Sequence, residues 1–310
     1  MAIARTPYVI AILIALLYAL PFAVSESYLF ITIDFLIMAL FALSFNLLLG
    51  QAGMLSFGHA AYYGLGAYTV AILFSKLAVP VQFGLIAAPV IAGLIALVVG
   101  WFSVRVTGMY FAMLTLAFGQ LLHAIVMGWY GFTGGDDGLP VMPPAWLLPA
   151  RNYYLFTLSV TLACVGLLRL ISLSPFGAAL AAIRENRQRA IFVGLGVRNL
   201  ELAAFVIAGA FAGVAGGLRA PLQQMAFPSL LHWTQSAEPV LMALAGGINT
   251  FFGPIVGAAI FVFANFIITT FSDYPLMIFG GIVLLVVLYL PGGVVGAIQT
   301  KWEKMKGQNR

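Results

Sequence analysis

Phe83 to Phe102 is a run of 20 residues without one charged side chain. A stretch of that length and character can cross the hydrocarbon layer of a bilayer as a helix, because a helix satisfies its own backbone hydrogen bonds where no water can. The run has many counterparts. Similar stretches lie at Tyr8–Val24, Phe30–Leu49, Phe57–Phe74, Tyr110–Trp129, Tyr153–Leu173, Leu200–Leu218, Gly253–Phe271 and Leu276–Leu290, with a shorter Gly-interrupted piece at Glu238–Ile248. Together these predict about ten transmembrane helices. The fold class expected is an all-α polytopic membrane protein, one domain over residues 1–310.

Composition agrees where it decides something. Only 7% of the residues are charged, against about 25% in a soluble domain. Such a chain cannot cover itself with a water-facing surface, so lipid must be its main partner. Its 33 glycines suit helices that approach closely in a membrane. The net charge of +5 does not indicate nucleic acid, since most basic residues fall in short connections between apolar runs. Cys164 is alone, which excludes an intrachain disulfide and a cysteine metal site.

Arg5 before the first run and Ala23-Val24-Ser25 after it also fit a cleaved signal peptide. The run is read as a retained helix, because the orientation count works with it in place. Ten crossings put both termini on one side. On that side, or at its boundary, lie Arg5, Arg105, Arg169, Arg184, Arg187, Arg189, Arg198, Lys301, Lys304, Lys306 and Arg310. The opposite side receives only Lys76, Arg151 and Arg219. Basic residues stay inside, so both termini are expected in the cytoplasm. Residues 130–152 then form a long outer loop, and residues 219–235 a second outer segment.

The most polar segment is the inner loop, residues 174–199. Ser174-Pro175 reads as a helix start, with Ser as N-cap and Pro at the first helical position. Residues 178–191 are strong helix formers, and Gly194 and Gly196 close the segment. Phe176, Leu180 and Ile183 make one apolar stripe, while Arg184, Glu185, Asn186, Arg187 and Arg189 cover much of the rest. Two readings of this amphipathic helix stand side by side: a helix lying on the lipid surface, or one that docks a cytoplasmic partner.

Residues 46–60 join two spans and mix glycine with amide, hydroxyl and imidazole groups. Residues 246–254, from Gly246-Gly247 to Gly253-Pro254, look like a rough counterpart. Paired Gly/Pro-interrupted segments in two halves suggest an inverted repeat with a pathway at its interface. Packing alone also explains any single glycine here. The ionisable residues near the membrane are Asp34, His59, His123, Glu201 and Glu238. Glu201 abuts the inner loop and is expected to pair with an arginine there. Asp34 and Glu238 lie near outer ends, where boundary and pathway roles are both open.

Taken in order, several motifs resemble one family. They are residues 46–68, residues 105–112 (Arg105-Val106-Thr107-Gly108-Met109-Tyr110-Phe111-Ala112) with 114–118, Thr133-Gly134-Gly135 with Gly138-Leu139, Ser174-Pro175-Phe176-Gly177 with Ala182-Ile183-Arg184-Glu185-Asn186, and Gly246-Gly247 through Gly253-Pro254. The chain resembles the permeases of branched-chain amino acid ABC importers, of the LivM type. The resemblance implies a permease in the bacterial inner membrane, working by alternating access. ATP-binding subunits, a second related permease and a periplasmic solute-binding protein would be its partners. Residues 174–199 would be the coupling loop, with Arg184, Glu185, Asn186 and Arg187 facing the ATPase. Residues 130–152 would be periplasmic. Asn46, Gln51, Ser56 and His59 are the candidates for the polar lining of the pathway. Relatives of this type also carry urea and other small solutes, so a branched-chain or hydrophobic amino acid is the leading substrate and a small polar solute the alternative.

The four lysines, Lys76, Lys301, Lys304 and Lys306, all lack the Gly-x-x-x-x-Gly-Lys-Ser/Thr context of a phosphate-binding loop. Any ATP must then be hydrolysed by another chain. No catalytic constellation, cofactor motif or clustered metal ligands stand in the sequence, and no acid pair suggests an ion-coupled carrier, which is the rival from a different class.

Overall fold

The computed structural model describes residues 14–271 together with 277–278, 280–281, 284 and 292–297. Helix α1 spans Glu26–Asn46 and runs on as a wider π-helical stretch, Leu47–Ala52. Then follow α2 (His59–Leu77), α3 (Val81–Ser103), α4 (Met109–Gly128) and α5 (Ala150–Leu173). Two short helices, α6 (Pro175–Glu185) and α7 (Arg187–Phe192), precede α8 (Val197–Gln223), α9 (Trp233–Gly246) and α10 (Gly253–Phe271). Among the described residues, six helical segments are long and apolar enough to cross a membrane: α1 with its π-helical extension, α3, α4, α5, α8 and α10. The expected spans at 8–24 and 276–290 fall partly or mostly outside the described residues.

Helix α8 is the centre of the bundle, packed on α1, α2 and α3. Small residues let these backbones meet. Gly66 on α2 faces Gly213 on α8, and a Cβ at Gly216 would collide with the Tyr63 carbonyl. Lipid supplies no hydrophobic drive between helices, so this closeness and its dispersion contacts hold the pair together. The apolar ring contacts of Tyr62 with Phe205 fill the layer beside them.

The bundle has two distinct ends. At one, β1 (Leu139–Pro140) pairs antiparallel with β2 (Met225–Ala226), with Leu139 opposite Ala226. The two connections expected on the outer side are therefore stitched into one ribbon, and the Val141 amide extends the ladder to the Gln224 carbonyl at 2.9 Å. At the other end lie α6, α7 and the π-helical stretch of α1.

Three expectations change. Arg219 lies inside α8, which runs to Gln223, so that outer segment is shorter than expected and the cation sits within the helix bundle. The inner loop holds two helices rather than one, because Asn186 turns to an extended conformation and its side chain caps α7 by accepting from the Arg189 amide at 2.9 Å. The third concerns the Gly-rich segments. Asp34 of α1 and Glu238 of α9 line one cavity toward the ribbon end, while Asn46 and Thr250 meet toward the α6 end. Helices α1 and α9 thus run parallel, and both segments turn at the same end. Inverted counterparts would turn at opposite ends, so these two segments are not related by inversion.

Candidate functional site

The α6 end gathers most of the polar residues singled out in the sequence. Ser174 caps α6, accepting from the Gly177 amide at 3.4 Å, and Pro175 opens the helix. Leu180 and Ile183 are buried and Phe176 is half-buried, as the apolar stripe requires. This seating turns Arg184 toward the bundle. Its Nη1 donates to the Gly50 carbonyl and its Nη2 to the Asn249 side-chain oxygen. One guanidinium thereby joins α6 to both Gly-rich segments. The planar fork of arginine makes such a two-pronged contact possible.

The π-helical stretch explains how Gly50 can offer its carbonyl. Its ladder is widened, and it closes at Gly53, whose φ of +71° suits glycine. The Gly53 and Met54 amides both return to the Leu48 carbonyl. Gln51 ties the same stretch to the last turn of α5, donating to the Ser172 hydroxyl at 2.6 Å. Arg169 of α5 lies over the Phe251 ring at 4.9 Å, a cation–π contact that holds the 247–252 segment from the other side.

Arg187 meets the expected partner. Its Nε and Nη2 donate to the two carboxylate oxygens of Glu201 at 2.9 and 3.1 Å. The Glu201 carboxylate raises the already high pKa of the guanidinium. Arg184, Glu185, Asn186 and Arg187 all line one cleft of about 700 Å³, walled on the far side by residues 106–109 ahead of and opening α4. Of the four, Arg184, Asn186 and Arg187 are bonded within the chain, while Glu185 is exposed.

Sequence patterning missed the most prominent feature here. Phe192 and Val193 are 87% and 81% exposed, with Ile191 beside them at 50%. They cap the polar α7 and project from the α6 end. An apolar triplet after Arg-Gln-Arg was the available signal, but a single long helix would have buried part of it.

Three of the four pathway candidates are packed shut, and Gln51 is half-buried. Asn46, Ser56 and His59 are at most 3% exposed. Asn46 reaches the Thr250 carbonyl over a long 3.5 Å. His59 Nε2 lies 2.9 Å from the Ser44 hydroxyl, inside a cage of Phe41, Phe45 and Tyr62. The next amide along, Ala60, donates to Ser236 of α9 at 2.9 Å. The Ser56 hydroxyl and His59 Nδ1 have no hydrogen-bond partner among the described residues. The four do not line the 700 Å³ cleft. Among the described residues, no cluster of three or more His, Cys, Asp or Glu could hold a metal ion.

Comparison with known proteins agrees with this architecture. The family described as branched-chain amino acid transport system / permease component matches residues 27–290. The high-affinity branched-chain amino acid transport system permease protein LivM of Escherichia coli K12 is 27% identical, over 91% of this chain and 73% of its own length. LivM of Salmonella typhimurium is 26% identical, over 96% and 76%. The Salmonella LivH permease is 24% identical, over 83% and 91%. No solved structure matches the chain. A match over residues 27–290 runs from the second residue of α1 through α10, and the chain belongs to the family of branched-chain amino acid transport permease components.

Proposed function

We propose that this chain is the membrane-spanning permease subunit of an ABC importer that carries branched-chain or other hydrophobic amino acids by alternating access. Separate ATP-binding subunits supply the energy, a second related permease completes the path, and a soluble binding protein delivers the solute. The α6 end faces the cytoplasm and the ribbon end the periplasm, and the distribution of basic residues in the sequence supports cytoplasmic termini. Helices α1–α5 and α8–α10, with the expected spans at 8–24 and 276–290, make ten crossings.

The observation that carries this reading is the bridge from Arg184 to Gly50 and Asn249. A partner that moves α6 pulls at once on the turns of α1–α2 and α9–α10. The ATPase docks on the exposed side of α6 and α7, using Glu185, Asn186 and the Ile191–Val193 knob, while Arg184 and Arg187 transmit the motion inward. Asn46, Gln51, Ser56 and His59 form the closed polar layer of the path. Separation of the two turns frees their unpaired atoms for a solute or for water.

The test is reconstitution in proteoliposomes with the partner subunits and radiolabelled L-leucine. ATP-dependent accumulation is expected. Accumulation by this chain alone, driven by an ion gradient and indifferent to ATP, would replace the importer with a secondary carrier.

A further inference from the structure

A second cavity, of about 360 Å³, opens toward the ribbon end between α1, α8, α9 and α10. Its charged lining among the described residues is Asp34, Arg219 and Glu238. Arg219 donates to Asp34. Gln223, with its amide oxygen turned inward, accepts from Arg219 Nε and Nη2 at 3.2 Å. Gln235 donates to Glu238.

A pair that only fastened two helices would need neither a second carboxylate nor empty room beside it. Here one cation faces two acids, and the surplus is a second carboxyl group beside a guanidinium within an apolar bundle. Charge in such a place is costly and marks a ligand path more often than a brace. Met38 and Phe266 supply apolar wall next to the charges. The volume is at the small end of ligand pockets, which suits a molecule of amino-acid size.

We propose that this cavity binds a zwitterionic α-amino acid with an apolar side chain, Arg219 taking its carboxylate and Glu238 its ammonium. The choice of an amino acid rests on the permease reading above. On binding, the ligand carboxylate enters the arginine fork and loosens the Arg219–Asp34 pair. Asp34 then joins Glu238 around the ammonium. The exchange leaves each carboxyl group beside a cation and the net charge of the site unchanged, while α1 and α8 lose their direct ionic link.

Binding of radiolabelled L-leucine is measured on the full chain in nanodiscs, with the subunits that copurify with it. Leucinamide lacks the carboxylate and 4-methylpentanoate lacks the ammonium, and both are expected to compete about tenfold or more weakly, the scale of one lost charge-assisted hydrogen bond. Competition equal to that of leucine by either analogue overturns the proposal. Glu238→Gln preserves shape and is expected to weaken binding about tenfold. The double exchange Asp34→Arg with Arg219→Asp restores an ion pair, so it is expected to recover thermal stability but not binding; recovery of both makes the pair structural and overturns the site. ATP-driven uptake that survives in Glu238→Gln with unchanged KM removes this site and leaves the importer intact. Zwitterion-selective binding with no ATP-driven uptake by any preparation supports the site and overturns the importer.

Discussion

Arg184 and Gly50 are 134 residues apart in sequence, yet the guanidinium of one donates to the backbone carbonyl of the other. The same side chain also holds Asn249. Arg184→Lys keeps the charge but replaces a planar fork by a point donor, so one of the two turns is released. ATP hydrolysis by the reconstituted complex is expected to continue while L-leucine uptake falls several-fold. The stability cost is small, about 1–2 kcal/mol, because a partly exposed group regains hydration. Coupled loss of both activities, or loss of neither, would count against a transmitting role.

The Arg187–Glu201 pair and the Phe192–Val193 knob separate folding from docking. Glu201 is buried, so Arg187→Ala strands a carboxylate and is expected to cost about 2–3 kcal/mol, below the full-burial range because Arg187 remains partly wet. Adding Glu201→Gln should recover most of that loss in a thermal melt. Phe192→Ser with Val193→Ser should leave the melt unchanged and abolish copurification of an ATP-binding subunit. A double-serine variant that retains its ATPase would move the docking face elsewhere.

Close helix approach sets a third expectation. Gly216→Ala places a methyl group against the Tyr63 carbonyl, and Gly66→Ala one against Gly213. Each is expected to destabilise by roughly 1–3 kcal/mol or more, because backbone cannot give way as a side chain does. Gly166 on α5 has open space where its Cβ would go, and Gly166→Ala should be neutral or stabilise by up to about 1 kcal/mol. Thermal scans of the three variants in one detergent decide the matter. Equal melting of all three would mean α2 and α8 do not depend on the glycine contact.

Orientation can be checked with thiols. Cys164 is buried and is the chain's one cysteine, so Cys164→Ala gives a silent background. Val193→Cys is expected to react with an impermeant maleimide only from the cytoplasmic side, and Asp136→Cys only from the periplasmic side. Both positions are exposed. The reverse pattern would turn the whole bundle over and put α6 out of reach of any ATPase.

Much of this protein can be read from residues in order. Long uncharged runs dictate membrane helices because an unsatisfied peptide group in lipid is too costly. Ser174-Pro175 predicts the start of α6, and it starts there, because capping is a local matter of one hydroxyl and one amide. The pairing of Glu201 with an arginine of the loop was also foreseeable, since the two lie in neighbouring segments of chain. What the sequence leaves open depends on which distant segments meet. Asn186 breaks one predicted helix into two, and only the seating of α6 beneath the π-helical turn shows why Arg184 points inward. The Gly-rich segments look alike in sequence, but their direction relative to each other is a property of packing. The parallel course of α1 and α9 follows from contacts at both ends, and no local pattern encodes it. Asp34, Arg219 and Glu238 likewise read as separate charges at helix ends. Tertiary structure alone brings them around one cavity, because charge buried in lipid must find its partner wherever the fold carries it.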